Sequence, residues 1–172
     1  MRTMRIFMLL CAALVVLLSL ASCMGPERSS EPYTGTPTRK TPYDSRYERV
    51  RVYLQEARTR IIYTPEDEGQ DYWQLPEESE YLGTGDCEDM AIWLYVKLKS
   101  NGLGPVRLCI GKHSRTAAQM HAWLVWSDGR RLYVLDPSTS DEPMREDQVR
   151  PGSYIPYYSY DGDAKWRHKA AG

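Results

Sequence analysis

The sequence predicts an α+β domain in which N-terminal helices pack on an antiparallel β-sheet. Two stretches of helical hydrophobic spacing come first, over 47–62 and 87–100. Three β-forming runs follow, over 106–110, 120–126 and 131–135. Asp128-Gly129 joins the last two as a hairpin, because that dipeptide accepts the positive φ of a tight turn.

Each element has its own reason. In the first helix Val50, Tyr53, Leu54, Ala57 and Ile61 recur at helical spacing with charge between them. Thr64-Pro65 and the acidic run 66–71 end it as a loop. Pro76 is placed to open a short intervening helix, where its missing N–H is no loss. Gly83-Thr84-Gly85 leads flexibly into the helix from Cys87, whose Ala91, Ile92, Leu94, Tyr95 and Leu98 call for burial on more than one side. Asn101-Gly102 stops that helix, with Gly104-Pro105 beyond. Pairing the hairpin about Asp128-Gly129 sets His121 directly opposite Asp136, where opposed Cβ atoms lie roughly 4.5–5.5 Å apart. After Pro137 the chain is Tyr-rich and broken by prolines, and suggests only an extra strand around 153–158.

The first 43 residues read as export and tether. Met1–Arg5 carries two arginines, Ile6–Leu20 is almost wholly apolar, and Leu20-Ala21-Ser22 supplies small residues, the layout of a secretory signal over 1–22. The apolar run is shorter than the roughly 20 residues of a membrane span. Cysteine directly after Leu-Ala-Ser resembles the bacterial lipoprotein signal, which implies cleavage before Cys23 and acylation of that residue; an uncleaved anchor helix is the competing reading. Residues 23–43 are rich in Pro, Ser, Thr and charge, a tether that buries too little to order itself. The working domain is 44–172, placed in the cell envelope on a membrane. Met24 in place of the Asp that marks inner-membrane retention favours the outer membrane facing the periplasm in a Gram-negative host. With 22 basic and 23 acidic residues and no basic stripe, nucleic acid is excluded as a partner.

The most informative stretch is Gly85-Asp86-Cys87-Glu88-Asp89-Met90-Ala91. It sets one cysteine among three carboxylates at a helix start. A structural thiol prefers apolar neighbours, whereas a helix N-terminus favours a reactive thiolate. The carboxylates oppose ionisation, so Cys87 needs a base and the acidic residues need a cation. A hard divalent ion with oxygen ligands answers the second demand, with Asp86, Glu88 and Asp89 as its candidates; an acidic first turn that merely complements the helix dipole is the plainer account. His121 and Asp136, facing each other across the hairpin, answer the first, the carboxylate fixing the imidazole as a general base. A disulfide to Cys109 is the competing use of Cys87, although Cys109 sits in an apolar strand and reads as a core thiol. The Cys87 N–H and Trp73 are candidates for the oxyanion site or substrate groove. His113 and His168 read as surface residues.

Asp71-Tyr72-Trp73, Pro76-Glu77, Gly85-Asp86-Cys87-Glu88-Asp89, His121-Ala122-Trp123-Leu124-Val125 and Leu135-Asp136-Pro137 together resemble the bacterial transglutaminase-like cysteine proteinases, which include the periplasmic LapG-type proteases. The resemblance runs from about Tyr53 to Pro137. It implies a papain-like, transglutaminase-like core, a triad of Cys87, His121 and Asp136, and calcium beside the nucleophile on Asp86 and Glu88. The chain departs from that pattern in its lipoprotein signal, in Met90 where an aromatic often stands, and in its tail.

The expected activity is therefore a membrane-anchored cysteine peptidase that cleaves an envelope protein through an acyl-enzyme. Acyl transfer to an amine or hydrolysis of a cell-wall amide would use the same triad, and a non-catalytic lipoprotein binding calcium or a partner is the contrasting class. Substrate, scissile bond and any inhibitor protein are not written in the sequence.

Overall fold

The computed structural model describes residues 45–67 and 69–169. The expected signal, the lipidation at Cys23 and the tether fall outside the described residues. No helix among those described is long and apolar enough to cross a membrane.

Helix α1 (Ser45–Arg60) buries Val50, Leu54 and Ala57 as one stripe, and Ile61 continues it. A two-residue strand β1 (Ile62–Tyr63) follows and pairs in parallel with β2 (Thr84–Gly85). Between them lies α2 (Pro76–Leu82), with proline in its first turn as expected. The β1–β2 contact matters because it fixes the approach to α3 (Cys87–Ser100): Ile62 N–H donates to Gly83 O at 2.9 Å and Thr64 N–H to Gly85 O at 2.8 Å. Helix α3 is apolar on several sides, burying Met90, Ala91, Trp93, Leu94 and Leu98 between α1 and the sheet. Gly102, at φ 66°, ends it.

The main sheet is six-stranded and antiparallel throughout. Its strands are β3 (Val106–Ser114), β4 (His121–Ser127), β5 (Leu132–Leu135), β6 (Met144–Arg145), β7 (Ser153–Asp161) and β8 (Ala164–Arg167), in the order β6-β5-β4-β3-β7-β8. The extra strand suggested near 153–158 is thus β7. It does not extend the sheet from the end of the chain but docks beside β3, next to the centre. Helices cover one face, against Val106, Leu108, Ala122, Leu124, Trp126 and Leu135. The opposite face carries Cys109, Trp123 and Val134, with Tyr154 and Val125 against them. Period-2 alternation divides β4 between the two, which is why almost all of it is apolar.

The hairpin register differs from expectation by two residues. Ser127 pairs with Leu132 and Leu124 with Leu135, leaving a four-residue loop over 128–131. The Asp128 carboxylate explains the longer turn: its Oδ1 accepts the N–H groups of Arg130 and Arg131, both at 2.7 Å, and so holds Arg131 out of the ladder. A two-residue slip preserves the facing of every side chain. His121 and Asp136 consequently lie on one face as diagonal neighbours instead of opposed ones.

Candidate active site

Cys87 is the first residue of α3, set there by a reciprocal cap. Asp86 is the N-cap, its side chain turned to the Asp89 N–H, while the Asp89 carboxylate accepts the Asp86 N–H at 3.1 Å. The other Asp89 oxygen accepts the Gln74 N–H at 2.8 Å, and the residue is 1 % exposed. Asp89, expected among the metal ligands, sets its carboxylate on these two backbone N–H groups and so pins the helix start to the loop before α2. Gly85 makes room for it, since a Cβ there would stand 2.8 Å from the Asp89 Cβ.

His121 opens β4 and Asp136 directly follows β5. Their side chains meet with Nε2 to Oδ2 at 2.8 Å, the diagonal reach that the two-residue slip leaves open. Because the carboxylate only accepts, Nε2 carries the proton and Nδ1 is left as the basic nitrogen. Asp136 is fully buried and held from all sides. Its Oδ2 also accepts the Tyr154 hydroxyl at 2.9 Å, and its Oδ1 accepts the Ser138 N–H at 3.1 Å and the Ser138 hydroxyl at 2.7 Å. Burial alone would raise its pKa; the bonds from His121 and Ser138 and the His121 charge overcome that and hold the carboxyl at about 2.

Helix α3 packs against β4, and Cys87 lines the same cleft as His121 and Ala122, so the helix start abuts the strand that carries the imidazole. Cys87 and His121 line one cleft of about 730 Å³ together with Trp73, Asp86, Glu88 and Met120. Both Cys87 and Cys109 are free thiols, which removes the disulfide alternative. Cys109 is buried in the sheet as expected of a core thiol. Trp73 lines the cleft but its indole N–H donates to Asp71 Oδ1 at 2.9 Å, which engages it away from an oxyanion. The first turn of α3 is the better donor, since N–H groups there lack intrahelical acceptors.

Around the thiol the electrostatics are strongly acidic. Sγ–H donates to Glu88 Oε2 at 3.1 Å. Burial first, and then Glu88, push the Cys87 thiol well above its ordinary range. Burial and the neighbouring Glu88 likewise push the Asp86 carboxyl up to about 7. Asp86 Oδ1 is buried without a hydrogen-bond partner. Ligand atoms of Asp86, Cys87 and Glu88 lie within 4.8 Å of one another, as do those of Glu66, Asp71 and Glu88. A buried orphan oxygen beside convergent carboxylates fits a calcium ion. Glu66 and Asp71 are therefore ligand candidates that spacing did not reveal; the acidic run 66–71 that carries them reads as an ordinary loop. His113, expected at the surface, is exposed but packs edge-on against both His121 and Tyr154. His168 is half-buried, with Nε2 and the buried Ser159 hydroxyl 2.9 Å apart.

The family model of the transglutaminase-like superfamily matches residues 34–137. The chain belongs to that superfamily. Among solved structures it is similar to Legionella pneumophila LapG, at 27 % identity and a TM-score of 0.57 over 70 % of each chain. The EGTA-treated form of that protein matches with a TM-score of 0.59 over 76 % of this chain and 70 % of LapG, at the same 27 % identity. Its calcium-bound form matches at 27 % identity and a TM-score of 0.57, over 72 % and 71 %. No curated protein matches the chain significantly. The matched stretch ends at Pro137, so β6, β7 and β8 lie beyond it.

Proposed function

We propose that the protein is a cysteine peptidase of the cell envelope, anchored through lipid on Cys23, which hydrolyses a peptide bond in an envelope protein with Cys87, His121 and Asp136. Membership of the transglutaminase-like superfamily and the likeness to LapG support a cysteine peptidase. The observation that carries the reading is the 2.8 Å pairing of His121 with a fully buried Asp136, on the strand against which the Cys87 helix begins.

His121 Nδ1 takes the Cys87 proton as Sγ attacks the scissile carbonyl carbon. The oxygen that becomes negative lies toward the N–H groups of the first turn of α3. Nδ1 then passes its proton to the departing amine, leaving a thioester. Water attacks the thioester carbon and gives a proton to Nδ1; the acid leaves, and the proton returns to Sγ. Throughout, Asp136 holds the imidazole as the Nε2–H tautomer and stabilises its cation.

Asp86, Glu88, Glu66 and Asp71 are the residues that would hold calcium. Bound there, it would neutralise the carboxylates that keep the thiol protonated. Asp89 contributes by fixing the helix start.

The test is the rate of Cys87 alkylation by iodoacetamide against pH, with calcium and with a chelator, in wild type and His121→Ala. The reading expects fast reaction at neutral pH that falls on chelation and on substitution. A profile like that of a free thiol peptide in every sample would overturn it. Cys23→Ser should release the protein from the membrane fraction.

A further inference from the structure

We infer that Tyr154 is the positioning residue that locks Asp136, and through it the tautomer of His121, and that a one-residue bulge in β7 exists to deliver it. The inference rests on the reading of Cys87, His121 and Asp136 as the reacting groups.

The register of β7 against β3 changes within the strand. Leu108 pairs with Tyr160 and Ile110 with Tyr158, but Gly111 pairs with Pro156 and Lys112 with Ile155. One residue of β7, Tyr157, is therefore extra, and every side chain on its N-terminal side changes face. Tyr158 and Tyr160 lie opposite Ile110 and Leu108, which are core residues of the helix side. By plain alternation Tyr154 would join them. After the bulge it falls opposite His113 instead and reaches the His121 face, with ring centroids 4.8 Å from His113 and 5.4 Å from Trp123.

Two further features show that this placement is enforced. Among the described residues Tyr154 is the one non-glycine at positive φ, 53°, a conformation that costs energy for a bulky side chain. Gly111, at the register change, meets the Ile155 carbonyl so closely that a Cβ would stand 2.0 Å from that oxygen. A bulge, a strained backbone and an obligatory glycine converge on one side chain.

What that side chain does is specific. Its hydroxyl donates to Oδ2 of Asp136, the same oxygen that His121 contacts, and lies 3.3 Å from the Thr139 hydroxyl. Burial, then the Asp136 charge, push the phenol up, so it remains a donor. With Ser138 on Oδ1, the carboxylate is held at both oxygens and cannot rotate away from the imidazole. The 154 position lies outside the stretch matched by the superfamily model.

The experiment compares Tyr154→Phe with wild type by two readouts: the ring ¹⁵N shifts of His121, which report its tautomer, and the rate of Cys87 alkylation by iodoacetamide. Removal of the hydroxyl alone is expected to give a mixed tautomer and a rate lower by about tenfold, the scale of one hydrogen bond to a charged group. Wild-type shifts and rate in a folded Tyr154→Phe protein would overturn the inference and leave Tyr154 as packing. Should that variant fail to fold, 3-fluorotyrosine at 154 keeps the ring and changes only donor strength, and unmoved His121 shifts there overturn it equally. Wild-type alkylation no faster than a free thiol, beside a tautomer that moves in Tyr154→Phe, would sink the peptidase reading while upholding the hold on His121.

Discussion

Asp136→Asn tests the centre of the site, and its consequences can be worked from the contacts. Each carboxylate oxygen accepts two donors: His121 and Tyr154 at Oδ2, the Ser138 N–H and hydroxyl at Oδ1. Asparagine has one accepting oxygen, so its NH₂ must face a pair of donors whichever way it turns. The Ser138 N–H is fixed in the backbone and keeps the oxygen; the NH₂ then meets His121. The imidazole can satisfy it only by accepting at Nε2, which places its proton on Nδ1 and removes the base. Peptide hydrolysis should fall by about 10⁴-fold, the scale of the same change in a Ser-His-Asp triad. Stability gives an independent readout. The Asp136 carboxyl falls from an ordinary 3.8 to about 2 on folding, which corresponds to about 2 kcal/mol. Because the folded value is depressed, that contribution is present above pH 4 and is lost as pH falls through 2. Urea unfolding of both proteins, with chelator present, should show a gap that narrows by about 2 kcal/mol between pH 5 and pH 2. A gap independent of pH over that window would refute the claim that its partners hold Asp136 ionised.

Cys87→Ala should abolish peptide hydrolysis while the unfolding temperature stays within a few degrees, as measured by thermal denaturation. Asp71→Asn and Glu88→Gln should each weaken calcium binding about tenfold or more in calorimetric titration, which would separate ligands from bystanders. Asp89→Ala should instead cost about 1–2 kcal/mol of stability equally with calcium or chelator, since it removes a cap; a loss seen only with calcium would make Asp89 a ligand after all. Gly111→Ala should cost about 2–4 kcal/mol in denaturant titration through collision with the Ile155 carbonyl.

The helices, the central hairpin and the facing of His121 and Asp136 were legible in the sequence because each rests on local periodicity. The register was not, because a side chain, Asp128, holds the turn open by two residues; parity alone kept the pair on one face. The cysteine motif showed that carboxylates crowd the thiol but not which of them turn where. Asp89 turns into the backbone, and Glu66 and Asp71 arrive from a loop some 15–20 residues away, a juxtaposition that the β1–β2 contact and the Asp89–Gln74 bond create. Tyr154 was least legible. Its alternation with Tyr158 and Tyr160 points to the wrong face, and the correction comes from a bulge whose cause, Gly111, lies in another strand.

Strand β7 pairs with β3 near the middle of the sheet, yet it follows every other strand of that sheet but β8 in sequence. The gap beside β3 can close only once residues 153–161 have been made. A chain that has emerged as far as Pro137 already carries Cys87, His121 and Asp136 but lacks the strand that brings Tyr154 to Asp136. The hold on that carboxylate is thereby assembled after the three residues it touches or serves, and cutting the chain before 153 should remove it.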